Sequence, residues 1–196
     1  YEGLIVREVG RGTFVAPPKV ESTLDTTLRQ SFEEQMAARG LRVALRLLHF
    51  AEEPASEAVA EALQLMPGEP VARLKRLRLI EGDVVGFEDR LMLVSIGRRL
   101  AREALTMQSA IALVETALGG KLGRIAVAVR AAIASSEIGQ LLEVKRGSPV
   151  LVRAHTFFAL DERPVLHGQS VYRGDKYQFS YVFDKGRLVS PSGPIP

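Results

Sequence analysis

Val71-Ala72-Arg73-Leu74-Lys75-Arg76-Leu77-Arg78-Leu79-Ile80, then Glu81-Gly82-Asp83, then Val84-Val85-Gly86-Phe87-Glu88-Asp89-Arg90-Leu91-Met92-Leu93 is the stretch that decides the fold of this 196-residue chain. Two β-rich runs around a short glycine-bearing connection make an antiparallel hairpin. Outward from it, residues 149–159 and 164–172 form a second pair around Leu160-Asp161-Glu162-Arg163, and residues 41–50, 122–133 and 178–183 read as single strands. The helical signals fall in blocks between these strands. Leu28, Phe32 and Met36 recur at four-residue spacing up to Gly40, and residues 55–65 follow Pro54 and stop at Met66-Pro67-Gly68. Residues 95–104, 109–118 (capped by Ser109, stopped by Gly119-Gly120) and 135–142 complete the set. Tight turns between consecutive strands, with helices grouped between hairpins, imply an α+β fold in which helices flank an antiparallel sheet. No tandem repeat is visible.

At the start, Gly10-Arg11-Gly12 turns between two short strands that together are too small to bury a core. Residues 1–16 therefore read as the end of a larger unit. Ala16-Pro17-Pro18-Lys19 is a stiff linker signal, and the Ser-, Gly- and Pro-rich tail from Ser190 reads as flexible. The composition, 46% hydrophobic and 25% charged, excludes wholesale disorder, and no apolar stretch approaches the ~18 residues of a membrane span. A net charge of +3 does not argue for nucleic-acid binding by bulk electrostatics. With no cysteine, disulfides, thiol catalysis and cysteine–zinc sites drop out, and a reducing, cytoplasmic setting is permitted.

Most familiar catalytic patterns fail on inspection. His49, His155 and His167 lack metal-ligand spacing and read as ordinary strand or turn histidines. Gly10-Arg11-Gly12-Thr13 lacks the lysine and following helix of a phosphate loop, and no Gly-x-Ser-x-Gly elbow occurs. No metal, cofactor or catalytic residue is expected. The arginines say more. Period two puts Leu74, Arg76 and Arg78 on one strand face, and a three-residue hairpin loop would set Arg76 opposite Glu88. Such a face is either an anion-binding floor or a solvated surface with an ion pair, and spacing alone favours the second. Tyr172-Arg173-Gly174-Asp175-Lys176-Tyr177 is a second polar and aromatic concentration, either a sheet-end turn or a pair of hydroxyls offered to a pocket.

Taken in order, these segments resemble a known family. Gly10-Arg11-Gly12-Thr13-Phe14-Val15 resembles the wing that ends the winged helix-turn-helix of GntR-family bacterial transcription regulators. The remainder resembles their HutC-type effector domain, called UTRA, which shares the chorismate lyase fold. The matching pieces are Ser31-Phe32, Arg76-Leu77-Arg78, Gly82, Glu88, Ser109, Leu142-Glu143-Val144, Gly147-Ser148-Pro149, Arg163-Pro164-Val165 and Tyr172 to Tyr177. The resemblance implies a wing at 1–16, a linker at 17–27, an effector-binding and dimerisation domain at 28–185 and a tail at 186–196. It further implies that Arg76, Arg78, Glu88, Ser31, Ser109, Tyr172 and Tyr177 line the effector pocket. Arg7, Arg11, Gly12 and Thr13 would touch DNA in an intact protein whose recognition helix is absent from this chain. The implied partners are a small carboxylate- or phosphate-bearing effector, operator DNA and a second copy of the chain, with no membrane. Two departures from the family pattern bear on the effector. Leu166 in place of a glutamate speaks against an acidic contact to a polar or amino-bearing ligand at that position, and Glu33 in place of a small hydroxyl residue disfavours a phosphate. The effector therefore tilts towards an organic carboxylate or a less polar metabolite and away from an amino-sugar phosphate. The alternative of another class is a lyase-like enzyme acting on a small dicarboxylate, since fold does not settle function.

Overall fold

The computed structural model describes residues 31–179 throughout and, outside that range, residue 10 and the strand residues 5–8, 12–15, 20–23, 180, 182–184 and 187–189. Arg11, the Pro17-Pro18 linker and the tail from Ser190 lie outside the described residues, as does the side chain of Arg7. β1 (Ile5–Glu8) and β2 (Gly12–Val15) form the expected small antiparallel hairpin, with Gly12 and Thr13 exposed. β3 (Val20–Thr23) follows, within the segment read as linker.

The main body then runs α1 (Phe32–Ala37), β4 (Val43–Pro54), α2 (Glu57–Leu63), β5 (Pro70–Ile80), β6 (Asp83–Leu93), α3 (Val94–Gly97), α4 (Ala110–Leu118), β7 (Arg124–Ile133), α5 (Ser136–Leu142), β8 (Pro149–Phe158) and β9 (Pro164–Arg173). The six strands β4 to β9 make one sheet in the order β4-β5-β6-β9-β8-β7, every pair antiparallel. The even-numbered face of β5 packs under α1, α3 and α4, where Leu74, Met92, Leu113, Val114 and Leu166 form the largest apolar cluster. The opposite face packs on α5 through Leu77, Phe87, Leu142 and Val171, and on α2 through Leu63, Val71 and Leu91. The α+β expectation holds.

The chain is built from two copies of one unit, a feature the sequence reading missed. Ser56 caps α2 and Ser135 caps α5, 79 residues apart, and the loops that follow repeat hydrogen bond for hydrogen bond. Ala55 N–H donates to Glu69 O as Ala134 N–H donates to Ser148 O, and Gly68 N–H reaches Ala55 O as Gly147 N–H reaches Ala134 O. Gln64 and Glu143, which end the two helices, share the left-handed conformation with φ of 55° and 57°. Each unit is helix–strand–helix–strand–strand, α1-β4-α2-β5-β6 and α4-β7-α5-β8-β9. The unit-starting helices α1 and α4 are capped by Ser31 and Ser109.

Three local expectations are corrected. The β5–β6 connection is a two-residue turn, Glu81-Gly82, both with positive φ, and a bulge between Arg78 and Leu79 restores the register a three-residue loop would have given. The helix expected over 95–104 is only the four-residue α3 followed by a 3-10 turn at Glu103–Thr106. Gly97 ends α3 against Ala72, where a Cβ would stand 2.2 Å from that of Ala72. The carbonyls of Leu105 and Gln108 are held by the buried Arg76 side chain. The strand expected over 178–183 is split: β10 (Tyr177–Ser180) pairs in parallel with β3, and β11 (Val182–Asp184) forms a hairpin with β12 (Arg187–Val189).

Candidate functional site

Alternation along β5 places Arg76 and Arg78 on the face covered by α1 and α4, so neither is a surface residue. Arg76 and Glu88 are wholly buried and Arg78 is 4% exposed, which removes the reading of a solvated strand face. Arg76 and Glu88 are direct register partners, as the spacing predicted. Arg76 closes on Glu88 Oε1 through Nε and Nη2, while its Nη1 donates to Leu105 O at 2.6 Å and Gln108 O at 2.9 Å. The guanidinium therefore ties the sheet to the turn that leads into α4.

Arg78 is the hub of a second fork. Its Nε donates to Glu33 Oε1 at 2.8 Å, its Nη1 to Tyr172 Oη at 2.7 Å and Ser170 Oγ at 3.2 Å, and its Nη2 lies 3.0 Å from Glu88 Oε2. Arg90 extends the array: Nη2 donates to Ser170 Oγ at 2.8 Å and Nη1 faces His155 Nδ1 at 2.9 Å. These cross-strand contacts need empty positions between them. Register places Gly86 between Arg78 and Tyr172, and Gly168 between Arg90 and His155. At both, a Cβ would collide, 2.8 Å from the Tyr172 ring and 2.2 Å from Asp89 O.

Electrostatics follows from that crowding. Burial opposes ionisation of Glu88, but Arg76, Arg78 and Arg90 outweigh it and pull the carboxyl down to about 2. Burial also works against the charge on Arg78, yet Glu33 and Glu88 hold it well above its ordinary value. Arg90 is lowered, by burial first, with Glu88 opposing. His155 is pushed well below the usual histidine range by burial and by Arg90, so it stays neutral and accepts from Arg90 through Nδ1. Three guanidiniums thus face two carboxylates, Glu33 and Glu88, and one positive charge is in surplus.

The two serines sit elsewhere in the same region. Ser31 and Ser109 both line a cavity of about 490 Å³, together with Glu34, Glu115, Lys121 and the apolar Ile111, Leu122 and Ile125. Ser31 Oγ accepts from Glu34 N–H while the Glu34 carboxylate accepts from Ser31 N–H, a reciprocal cap that uses these donors internally. Ser109 Oγ accepts from Ala112 N–H. Each serine keeps its own O–H for another acceptor. Because the serines start the equivalent helices of the two units, the cavity lies where the units meet.

Tyr172 and Tyr177 stack with ring centres 3.9 Å apart, and Tyr177 Oη accepts from Arg153 at 2.9 Å. Their rings pack with Phe32 and Met36 of α1, and Phe32 also lies under the Arg78 guanidinium, 4.9 Å from its carbon. Of the seven candidate pocket residues, only Ser31 and Ser109 line the cavity; Arg76, Arg78 and Glu88 form the buried array, and Tyr172 and Tyr177 stack beside Arg78. Sequence reasoning missed Arg90, Ser170, His155 and Gln108. Extending the two-residue period from Glu88 would have found Arg90, whereas His155 joins only through register across two further strands. Among the described residues, no group of three or more His, Asp or Glu side chains is placed to hold a metal ion, and no helix is long and apolar enough to cross a membrane.

Comparison with known proteins adds a family to this geometry. The family described as UTRA domain has a sequence model that matches residues 38–178. The chain is similar to the HTH-type transcriptional repressor NagR of Bacillus subtilis, 28% identical over 184 residues that cover 94% of this chain and 74% of that protein. It is also similar to the histidine utilization repressor of Pseudomonas putida, 29% identical over 185 residues, 94% of this chain and 72% of that protein. Among solved structures, PhnF from Mycobacterium smegmatis superposes with a TM-score of 0.76 and 25% identity, over 94% of this chain and 80% of that one.

Proposed function

The chain belongs to the UTRA domain family, and from that premise we propose that it is the ligand-sensing domain of a bacterial DNA-binding repressor. In this reading a small metabolite enters the cavity between Ser31 and Ser109 and rests over the array of Arg76, Arg78 and Glu88, with Tyr172 and Tyr177 on the far side. Residues 1–16 are the wing, offering Arg7, Arg11, Gly12 and Thr13 to DNA, residues 17–27 join it to the sensing domain at 28–185, and residues 186–196 form the tail. The observation that carries the proposal is the cavity of about 490 Å³ walled by two serine-capped helix starts, together with a buried array, joined to those helix starts through Glu33 and Gln108, that keeps one positive charge in surplus.

That surplus favours a metabolite with a single carboxylate. A phosphate monoester would meet Glu33, which already occupies Nε of Arg78. The regulators among its relatives speak against the lyase alternative. The protein acts as a cytoplasmic dimer, and binding shifts the balance between two dimer arrangements by a coupling of ~1–3 kcal/mol.

Thermal unfolding against a metabolite panel tests the reading. A true effector at ~100 times its dissociation constant adds about 2.7 kcal/mol of stability. Arg78→Ala is expected to abolish that shift. A panel in which no carboxylate, amine or phosphate compound shifts the transition sinks the sensing role.

A further inference from the structure

Buried polar atoms that lack a hydrogen-bond partner are few in folded proteins because each forfeits its hydration without replacement, so a group of them marks a place built for something else. Two such atoms flank the Arg76–Glu88–Arg78 array, one on Glu33 and one on Gln108. Glu33 Oε2 and Gln108 Oε1 are buried and accept no hydrogen bond, although Glu33 Oε1 is held by Arg78 and the Gln108 backbone carbonyl by Arg76. Glu33 is two residues from Ser31 and Gln108 adjoins Ser109, so the atoms belong to the two elements whose serines line the cavity. Both are acceptors, and only a donor can satisfy them.

A second observation has the same sense. The charged groups that line the cavity are Glu34 and Glu115 against Lys121, two carboxylates to one ammonium. Glu115 is already engaged, with Oε2 at 2.8 Å from Lys121 Nζ and Oε1 accepting from Leu122 N–H, and Glu34 caps its own helix. The wall itself therefore carries one net negative charge, opposite in sign to the surplus on the arginine array. A protonated amine suits such a wall and can donate to both a carboxylate and an amide oxygen, whereas a phosphate suits neither.

We infer that Glu33 and Gln108 read a donor-bearing amine, so that the effector is an amine-bearing carboxylate of amino-acid type. This rests on the sensing role proposed above and adds a second pole to its ligand: the carboxylate answers the surplus guanidinium charge, and the ammonium answers Glu33 Oε2 and Gln108 Oε1. Glu33 is then a specificity residue. It screens Arg78 from dianions and offers its second oxygen to the amine.

The test is a thermal-shift and calorimetric panel on the 196-residue chain with three arms: α- and ω-amino acids, their deaminated carboxylates, and glycerol 3-phosphate with inorganic phosphate. The expected result is binding confined to the amino-acid arm, with the best compound losing about tenfold or more on deamination. Glu33→Gln and Gln108→Leu should each weaken the same compound about tenfold, with circular dichroism unchanged. Gln108→Leu keeps the test decisive if Glu33→Gln perturbs folding. Equal or tighter binding of a deaminated acid or a phosphate, or tighter binding to the Glu33→Gln protein, overturns this inference and leaves the sensing role standing. Silence in all three arms overturns both.

Discussion

Arg76 and Glu88 show how much a two-residue period can say, and His155 shows what it omits. That Arg76 faces Glu88 follows from alternation plus hairpin length. That both are wholly buried does not, because burial depends on α1 and α4 arriving from elsewhere in the chain. His155 is part of the array only because Gly168 leaves the position between it and Arg90 empty. Its burial has a measurable pH signature. In the unfolded chain a histidine takes up a proton below its ordinary value near 6.5, while in the fold burial and Arg90 keep His155 neutral. The stability present above that value is therefore lost as pH falls through it, by up to about 1.4 kcal/mol per pH unit. Glu88, held at about 2, adds a further loss only as pH drops from its ordinary 4.5 towards 2. Urea midpoints at about pH 7 and about pH 5 separate the two, and His155→Gln should flatten the slope between them. His167, also lowered by burial and Arg90, leaves a residual slope of the same sign. An unchanged slope in the variant would mean that His155 is not the group being titrated.

At the level of elements, glycine positions are what let polar side chains meet across the sheet. Gly168→Ala places a Cβ 2.2 Å from Asp89 O and 2.9 Å from Arg90 Cα, both backbone atoms that cannot swing aside. The expected cost is about 3 kcal/mol or more, read from denaturant unfolding. At Gly86 the obstacle is the Tyr172 ring, 2.8 Å away, so Gly86→Ala should cost less while displacing the hydroxyl that accepts from Arg78. Equal costs at the two positions would refute this account of the array. Elements also mark where sequence reading stopped. The hairpins, the capped helices and the antiparallel sheet were legible because turn and cap residues are local. The internal duplication was not, because only fragments such as Leu63, Gly68, Pro70 and Val71 reappear as Leu142, Gly147, Pro149 and Val150, while the strands between diverge. Nor was the parallel pairing of β3 with β10, which joins opposite ends of the chain and has no local signal.

Across the whole molecule, the two edges of the sheet are not alike, and the difference bears on assembly. The β4 edge carries Arg46, His49, Glu52 and Glu53, a register shift between Leu47 and His49, and a terminal proline, devices that discourage pairing with another strand. The β7 edge has none of these between Arg124 and Arg130: Ile125, Ala126, Val127, Ala128 and Val129 run without charge, Val129 is 42% exposed, and Ile133 beyond them is 75% exposed. A ten-residue edge strand with a five-residue uncharged run of this kind is an aggregation hazard unless something covers it. We predict that a second copy related by a two-fold axis covers it with an identical strand, closing the assembly at two and making one continuous sheet. That arrangement would place the cavities of the two copies on a shared rigid element, as coupling between effector and DNA requires. Light scattering during size exclusion is expected to give a dimer, and Val129→Lys a monomer whose circular dichroism is unchanged, because like charges then face each other across the axis. If the lysine variant stays dimeric, the contact lies elsewhere on the domain. A monomeric parent chain would instead remove dimerisation through this domain, and with it the proposed route from metabolite to operator.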